Sequence, residues 1–371
     1  MPAVFFYISG HGFGHASRQI EIINAFGRLC PDADIVIRTT APRWLFEKTA
    51  DVPITLLSTE TDTGVVQIDS LNLDEQATVE RASTFYAELP ARAAADAGLL
   101  RSRDARFVVS DAPPLASAAA ALAGLPSVVV SNFTWDWIYE AYADAGRADG
   151  MLDAVRAAYR QSEGAWRLPM YGGFATFQSI LDVPFVARHA RHDRQHVRQI
   201  LRLPTETTLA LTSFGGYGVH ESYLSSLDCL RDCEVVVTMG LGVETTWQPP
   251  PGVHFVREKD LYAAGVRYED LVSAVDVVVT KPGYGIIAEC VANGTAILYT
   301  DRGHFVEYDV LVREMPRFLR CEFIDHEALF AGHWRETLRR LLSSPPAPER
   351  PPTDGAEVVA TMIAERVAQS G

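Results

Sequence analysis

Two histidines and three glycines fall within six positions, Gly10 to His15, in the stretch SGHGFGHASR. Imidazole is the side chain suited to moving protons near neutral pH. It becomes a general base when a carboxylate fixes its tautomer and stabilises the imidazolium. Asp111 ends the apolar run FVVSD and is the candidate carboxylate partner for His15. The competing reading makes His15 a helix-start residue and Asp111 a turn former before two prolines. His11 has no comparable partner in the sequence. A phosphate contact, an acceptor contact and a purely structural role all stay open for it.

A second chemistry is written in TKPGYGIIAEC, residues 280 to 290. An apolar strand ends at Thr280, and Gly283, Tyr284 and Gly285 open the following helix. A helix N-terminus offers unpaired N–H groups and positive dipole to a diphosphate. Glycine lets phosphate approach the backbone closely. Glu289 follows one helical turn later, where a carboxylate suits two vicinal ribose hydroxyls better than a phosphate. A plain strand–helix turn with a dipole-stabilising glutamate is the alternative. SFGGYG, residues 213 to 218, supplies a second glycine turn through Ser213, Gly215 and Gly216. One turn on each side of a diphosphate strengthens the binding reading.

Two other phosphate chemistries fit the sequence poorly. The first glycine segment reads G-x-G-x-G, not the dinucleotide G-x-G-x-x-G. Where a ribose-binding acid should end the second strand, the chain has Arg38, Thr39 and Thr40. No G-x-x-x-x-G-K-[ST] occurs.

These residues need elements to position them. AVFFYIS reads as a buried strand, SRQIEIINAFGRL as an amphipathic helix and DIVIRTTAP as a second strand. RFVVSDAPPLASAAAALAGLPSVVVSN continues strand, helix, strand. The second half repeats the alternation from TLALTSFGG to ILYTD. Alternating β and α implies parallel sheets covered by helices. Pro184, a basic segment and Pro204 mark a boundary near residues 183 to 205. The expected division is 1–190, a Rossmann-like acceptor-side domain; 205–345, a Rossmann-like nucleotide-binding domain; and 353–371, a terminal helix. The two domains should face a cleft, with SGHGFGH, SDAPP, SFGGYG and KPGYG at the carboxyl ends of their strands. Asn132, Trp135, Asp136 and Tyr139 follow a strand end on the same side. Aromatic faces with a nearby carboxylate suit a sugar or another polar, flat acceptor, although Trp135 and Tyr139 at i and i+4 equally suit a core. Asp62, Gln67 and Asp69 lie in a long polar loop that could touch substrate.

Composition bounds the rest. The chain has 371 residues, 48% of them hydrophobic and 22% charged, an ordinary globular balance. A net charge of −14 argues against nucleic-acid binding. The basic exception, residues 187 to 202, reads first as a solvated helix with a linker. No apolar stretch matches a membrane span, and no signal sequence is visible at the N-terminus, so the expected location is the cytoplasm. Five scattered cysteines make no disulfide framework. Cys229 and Cys233 form a CxxxC that lacks a second ligand pair, and no metal site is expected.

Taken together these residues resemble the GT-B glycosyltransferases. The glycine loop ending in GH and the spacing from Gly283 to Glu289 are similar to the peptidoglycan GlcNAc transferases. The nearer resemblance is to the N-terminal, glycosyltransferase-like domain of plant L-arabinokinases. It rests on GHGFGHASR, DTGVVQIDSLNLD, FVVSD, SNFTWDWIYEAY, RLPMY, LDVPFV, KPGYGIIAE and the R-x-x-F-x-E-x-x-x-L run from Arg302 to Leu311. The resemblance implies a GT-B fold and donor contacts from Ser213, Gly215, Gly216, Gly283, Tyr284, Gly285, Glu289, Arg302 and Glu307. It implies His15 as base and Asp111 as its partner. His11, Gln67, Asn132, Trp135 and Asp136 are the expected acceptor contacts. Arg18 departs from plant-type inverting enzymes, which usually carry proline there. The expected activity is inverting, metal-independent transfer from a nucleotide-diphosphate sugar, uridine-based, to a small-molecule or glycan acceptor. No cofactor is called for. A sugar-nucleotide epimerase or hydrolase, and a non-catalytic sugar-nucleotide-binding module, remain as alternatives.

Overall fold

The computed structural model describes residues 3–69, 71–143, 148–214, 233–239 and 249–369. Gly215 and Gly216, together with Cys229, lie outside the described residues. Two compact units form. Unit 1 comprises Met1–Ile68, Leu73–Ala187 and Pro352–Gly371; unit 2 comprises Asp69–Asn72 and Arg188–Pro351.

In unit 1 the strands are β1 (Ala3–Ile8), β2 (Asp34–Thr39), β3 (Thr55–Ser58), the short β4 (Val66–Gln67) and β5 (Leu73–Asp74), β6 (Ala105–Asp111), β7 (Ser127–Phe133), β8 (Ala165–Gly172) and β9 (Ile180–Asp182). Seven of them build one sheet in the order β3-β2-β1-β6-β7-β8-β9, with every neighbouring pair parallel. All six residues of β1 are buried, as its unbroken apolar run requires of a central parallel strand. The helix Phe13–Leu29 returns from β1 and buries Ile20, Ile23 and Phe26. The terminal helix Gly355–Gln369 packs into the same core through Val359, Ala360 and Ile363. Truncating Phe26 to alanine there costs about 3–5 kcal/mol.

Strand order decides where the chemistry sits. From β1 the chain winds outward to β2 and β3, and from β6 it winds the other way. The sheet therefore reverses between β1 and β6, and Ile8 pairs with Asp111 at their carboxyl ends. Loops leaving such a reversal diverge and open a crevice for ligands.

Unit 2 repeats the plan with β10 (Leu209–Ser213), β11 (Glu234–Met239), β12 (Val253–Arg257), β13 (Val277–Thr280), β14 (Ala296–Tyr299) and β15 (Cys321–Phe323). Their order is β12-β11-β10-β13-β14-β15, again all parallel. The reversal falls between β10 and β13, where Ser213 pairs with Thr280. Both expected glycine turns thus start from adjacent strand ends.

The basic segment after Ala187 is not a solvated helix throughout. Its helix is short, Arg194–Ile200, and Arg198 is buried. The Arg198 guanidinium donates to the carbonyls of Ala274, Pro204, Thr205 and Thr207 and to Asp276 Oδ2. Its charge closes the start of the second unit. Among the described residues no helix is long and apolar enough to cross a membrane.

Candidate functional site

The turn after β1 delivers His15 to Asp111. Gly12 caps the helix Phe13–Leu29 with φ of 74°, a left-handed value that glycine adopts at low cost. This bend starts the helix at Phe13 and puts His15 in its first turn, over the end of β6. His15 Nδ1 lies 2.9 Å from Asp111 Oδ1, with His15 7% and Asp111 0% exposed. The paired base and carboxylate expected from the sequence are therefore in contact.

Sequence reasoning missed the third member. Arg18 is one turn along the same helix, 8% exposed, and forks onto Asp111: Nε donates to Oδ2 at 3.1 Å and Nη2 to Oδ1 at 2.6 Å. Its Nη1 donates to Asn132 Oδ1. The remaining Asn132 amide donates to the Pro169 carbonyl at 2.6 Å. Burial pushes the Asp111 carboxyl up, but the charges of Arg18 and His15 outweigh it and hold the carboxyl below its ordinary value. The signal was present as an arginine where a proline was expected.

Several expected acceptor contacts turn out to be packing. Trp135 is 1% exposed and stacks on Tyr139 at 5.2 Å with planes 14° apart. Its Nε1 donates to Asp62 Oδ2 at 2.8 Å. Its face is thus covered by tyrosine, and its polar edge is spent on aspartate. Asp136 is buried too, accepting from Thr176 Oγ1 at 2.7 Å with Arg156 Nε at 3.6 Å. Asn132 is taken up by Arg18 and Pro169. These three correct the acceptor surface expected from the sequence: the i, i+4 aromatic pair is core. His11 and Gln67 stay partly open. His11 Nε2 lies 3.4 Å from Gln67 Nε2, and its ring packs so closely on Gly64 that a β-carbon there would come within 2.7 Å of Nδ1.

Asp62 joins the cluster from the loop after β3. It accepts from Ser9 Oγ at 3.0 Å and from Trp135. Burial pushes its carboxyl up to about 6, with His15 and the two hydrogen bonds opposing.

In unit 2 the helix Tyr284–Asn293 starts at the expected turn, with Gly283 as N-cap and no side chain capping it. A β-carbon at Gly283 would meet nothing within 4 Å, and its φ of −162° suits any residue. The fold itself does not demand glycine there. Ser213 Oγ accepts from the Tyr268 hydroxyl at 2.6 Å.

Glu289 lies one turn into this helix but is not open. Arg188 donates to Oε1 through Nε at 2.8 Å and through Nη2. Arg188 Nη1 is also 3.3 Å from Glu269 Oε2. Burial raises the Glu289 carboxyl and Arg188 opposes the shift. Any hydroxyl binding Glu289 shares it with Arg188.

Arg302 is 8% exposed, with Nη1 3.2 Å from Glu307 Oε1 and 3.3 Å from the Pro282 carbonyl, which it donates to. Its Cζ lies 3.8 Å from the Phe305 ring centroid. Arg302 and Glu307 are therefore one ion pair strapped to the turn that begins the helix. Lys281 shares this surrounding. Burial, then Arg302, pushes its ammonium down to about 7, with Glu307 and Asp69 opposing. Asp69 accepts the backbone N–H groups of Leu71 and Asn72 at 2.7 and 2.9 Å. In the sequence Lys281 is marked only by its place before the glycine turn. Among the described residues no cluster of three or more His, Cys, Asp or Glu could hold a metal ion.

No protein-family model matches the chain. It is 30% identical to L-arabinokinase of Arabidopsis thaliana over 97% of its own length, and spans about a third, 34%, of that protein. Among solved structures it is similar to the calicheamicin glycosyltransferase CalG4, with a TM-score of 0.61, 14% identity, and coverage of 100% of this chain and 95% of that one. The glycosyltransferase VinC in complex with DTDP matches at 0.57 and 15%, covering 99% and 95%. UGT2 of Phytolacca americana, complexed with UDP-2fluoro-glucose and pterostilbene, matches at 0.58 and 11%, covering 100% and 95%. With its two parallel sheets, the chain has the GT-B fold.

Proposed function

We propose that this protein is an inverting glycosyltransferase that moves a sugar from a uridine diphosphate donor to a polar acceptor without a metal ion. The observation that carries the reading is the His15–Asp111 contact of 2.9 Å at the reversal of the first sheet. Unit 2 supplies its complement: a helix start left open at Gly283, with Lys281 and Arg302 at the same turn. Similarity to glycosyltransferases in complex with DTDP and with a UDP sugar supports a nucleotide-diphosphate donor.

In this reading Nδ1–H of His15 donates to Asp111, and Nε2 takes the proton of the acceptor hydroxyl. The oxygen attacks the anomeric carbon from the face opposite the leaving diphosphate, which inverts that centre. Negative charge gathers on the departing diphosphate. The N–H groups at Gly283, Tyr284 and Gly285 would stabilise it together with the cations Lys281 and Arg302. That supply of positive charge is the work a divalent ion would otherwise do. Glu289 would hold the ribose hydroxyls on the oxygen it does not give to Arg188, and Ser213 would line the opposite turn. Glu307, paired with Arg302, would face the donor sugar. His11 and Gln67, the partly open pair, would meet the acceptor.

The test is turnover of labelled UDP sugars with and without an acceptor panel, in the presence of EDTA. Acceptor-dependent transfer that survives EDTA and disappears in His15→Ala supports the reading. Conversion of the sugar without acceptor assigns an epimerase or hydrolase, and nucleotide binding without turnover assigns a binding module.

A further inference from the structure

Asp111, His15 and Arg18 form a closed triangle. Asp111 Oδ1, His15 Nδ1 and Arg18 Nη2 are separated by 2.9, 3.1 and 2.6 Å. Nη2 lies within hydrogen-bond reach of both neighbours, so the imidazole nitrogen decides the pattern: Nδ1 either accepts from Nη2 or donates to Oδ1, not both. Asp111 is held as the carboxylate and has no proton to give, so its 2.9 Å contact with Nδ1 is a hydrogen bond only when Nδ1 carries the proton, and Nη2 then merely adjoins Nδ1. Oδ1 then receives two donors, Nη2–H and the imidazole Nδ1–H. Oδ2 receives Nε–H of Arg18, so both oxygens are clamped.

Charge counting adds the consequence. A completely buried carboxylate needs a cation nearby. Arg18 provides one that is never deprotonated in proteins. Without it, the imidazole would be the group available to neutralise Asp111, and would have to carry a proton to do so. A second buried carboxylate, Asp62, also acts on His15 from the loop after β3, and His11 lies in the preceding turn. Removing the guanidinium would leave two carboxylates around the imidazole.

We propose that Arg18 is a positioning residue for His15: it is the permanent counter-charge of Asp111, and that charge leaves His15 neutral, with the proton on Nδ1 and a bare lone pair on Nε2. This rests on the reading of His15 as the base. It explains why an arginine occupies a buried place one turn beyond the histidine.

The experiment is long-range proton–nitrogen NMR on full-length protein labelled in its histidine rings, with the His15 signals identified by their loss in His15→Gln. At about pH 8 and without substrate, His15 should be neutral and protonated on Nδ1 in the wild-type protein. In Arg18→Met it should be imidazolium, with both nitrogens protonated. In Arg18→Lys, which keeps the charge and loses the fork, it should again be neutral. A proton on Nε2 in the wild type, or a neutral ring in Arg18→Met, overturns the proposal. If Arg18→Met does not fold, an imidazolium in Arg18→Lys overturns it and a neutral ring supports it. The base reading fails separately, if His15→Gln leaves sugar transfer intact while the ring states are as stated.

Discussion

Asp62 accepts the indole N–H of Trp135 at 2.8 Å, and neither residue is more than 5% exposed. This bond ties a polar loop to the aromatic core and holds a carboxylate within electrostatic reach of His15. Burial of that carboxylate is a measurable liability, because it pushes the Asp62 carboxyl from 3.8 up to about 6 against the Trp135 bond.

The folded state then binds the Asp62 proton more tightly than the unfolded state. Below the ordinary aspartate range both states are protonated and the effect is nil. Stability falls as pH rises from about 4 to about 6 and stays reduced above. Asp62→Asn keeps an acceptor for Trp135 and removes the charge. It should gain on the wild type by about 1–3 kcal/mol at pH 7.5 relative to pH 4.5. Urea unfolding at the two pH values measures the difference; an equal offset at both would mean that Asp62 titrates normally.

The His15–Asp111 pair makes a kinetic prediction. Removing a positioned general base lowers the rate by about 10²–10⁴-fold. His15→Gln should lose that much in kcat while nucleotide affinity, which the proposed mechanism assigns to unit 2, stays unchanged. Asp111→Asn should lose activity too, and it leaves Arg18 buried without an anion, so its midpoint of unfolding should drop. A His15→Gln protein with ordinary kcat would remove the base from the mechanism.

How much of this was legible in the sequence follows from the physics of each signal. The alternation of apolar strands and helices is a local pattern, and it fixed both sheets. The His15–Asp111 pair was legible because Asp111 ends one strand and His15 opens the helix that follows the carboxyl end of another. Arg18, Asp62 and Arg188 were not read as partners, because their partners lie far along the chain and arginine normally stays solvated. The i, i+4 spacing of Trp135 and Tyr139 fits a ligand face and a core equally. Only the stacking distance and the Asp62 bond separate the two.

Arg188 and Glu289 form a buried ion pair whose side chains are 11% and 6% exposed. Breaking one partner of such a pair costs about 3–5 kcal/mol, because the other charge is stranded. Arg188→Met should therefore destabilise the protein by that order. The double variant Arg188→Met with Glu289→Gln should recover only part of the loss, because Glu269, 3.3 Å from Arg188 Nη1 and 2% exposed, still loses its cation. A double variant as unstable as the sum of the singles would show that the two side chains act independently.

Lys281 supplies the last prediction. Burial and Arg302 push its ammonium from 10.5 down to about 7, so the folded state releases this proton earlier than the unfolded chain does. Stability should consequently rise with pH between about 7 and 10, and the penalty is fully present below 7. Lys281→Met removes the desolvated charge, so it should be more stable than the wild type at pH 6 and gain least at pH 10. A bound diphosphate reverses the preference, because an anion beside Lys281 and Arg302 favours the ammonium. Binding of UDP at pH 8 should then take up a proton, its affinity should weaken as pH rises above 7, and both effects should vanish in Lys281→Met. Calorimetry in two buffers of different ionisation heat counts that proton directly. A wild-type protein that binds UDP with no proton uptake would place the diphosphate away from Lys281. The stability gained by Lys281→Met would still stand, since it depends on the buried charge alone.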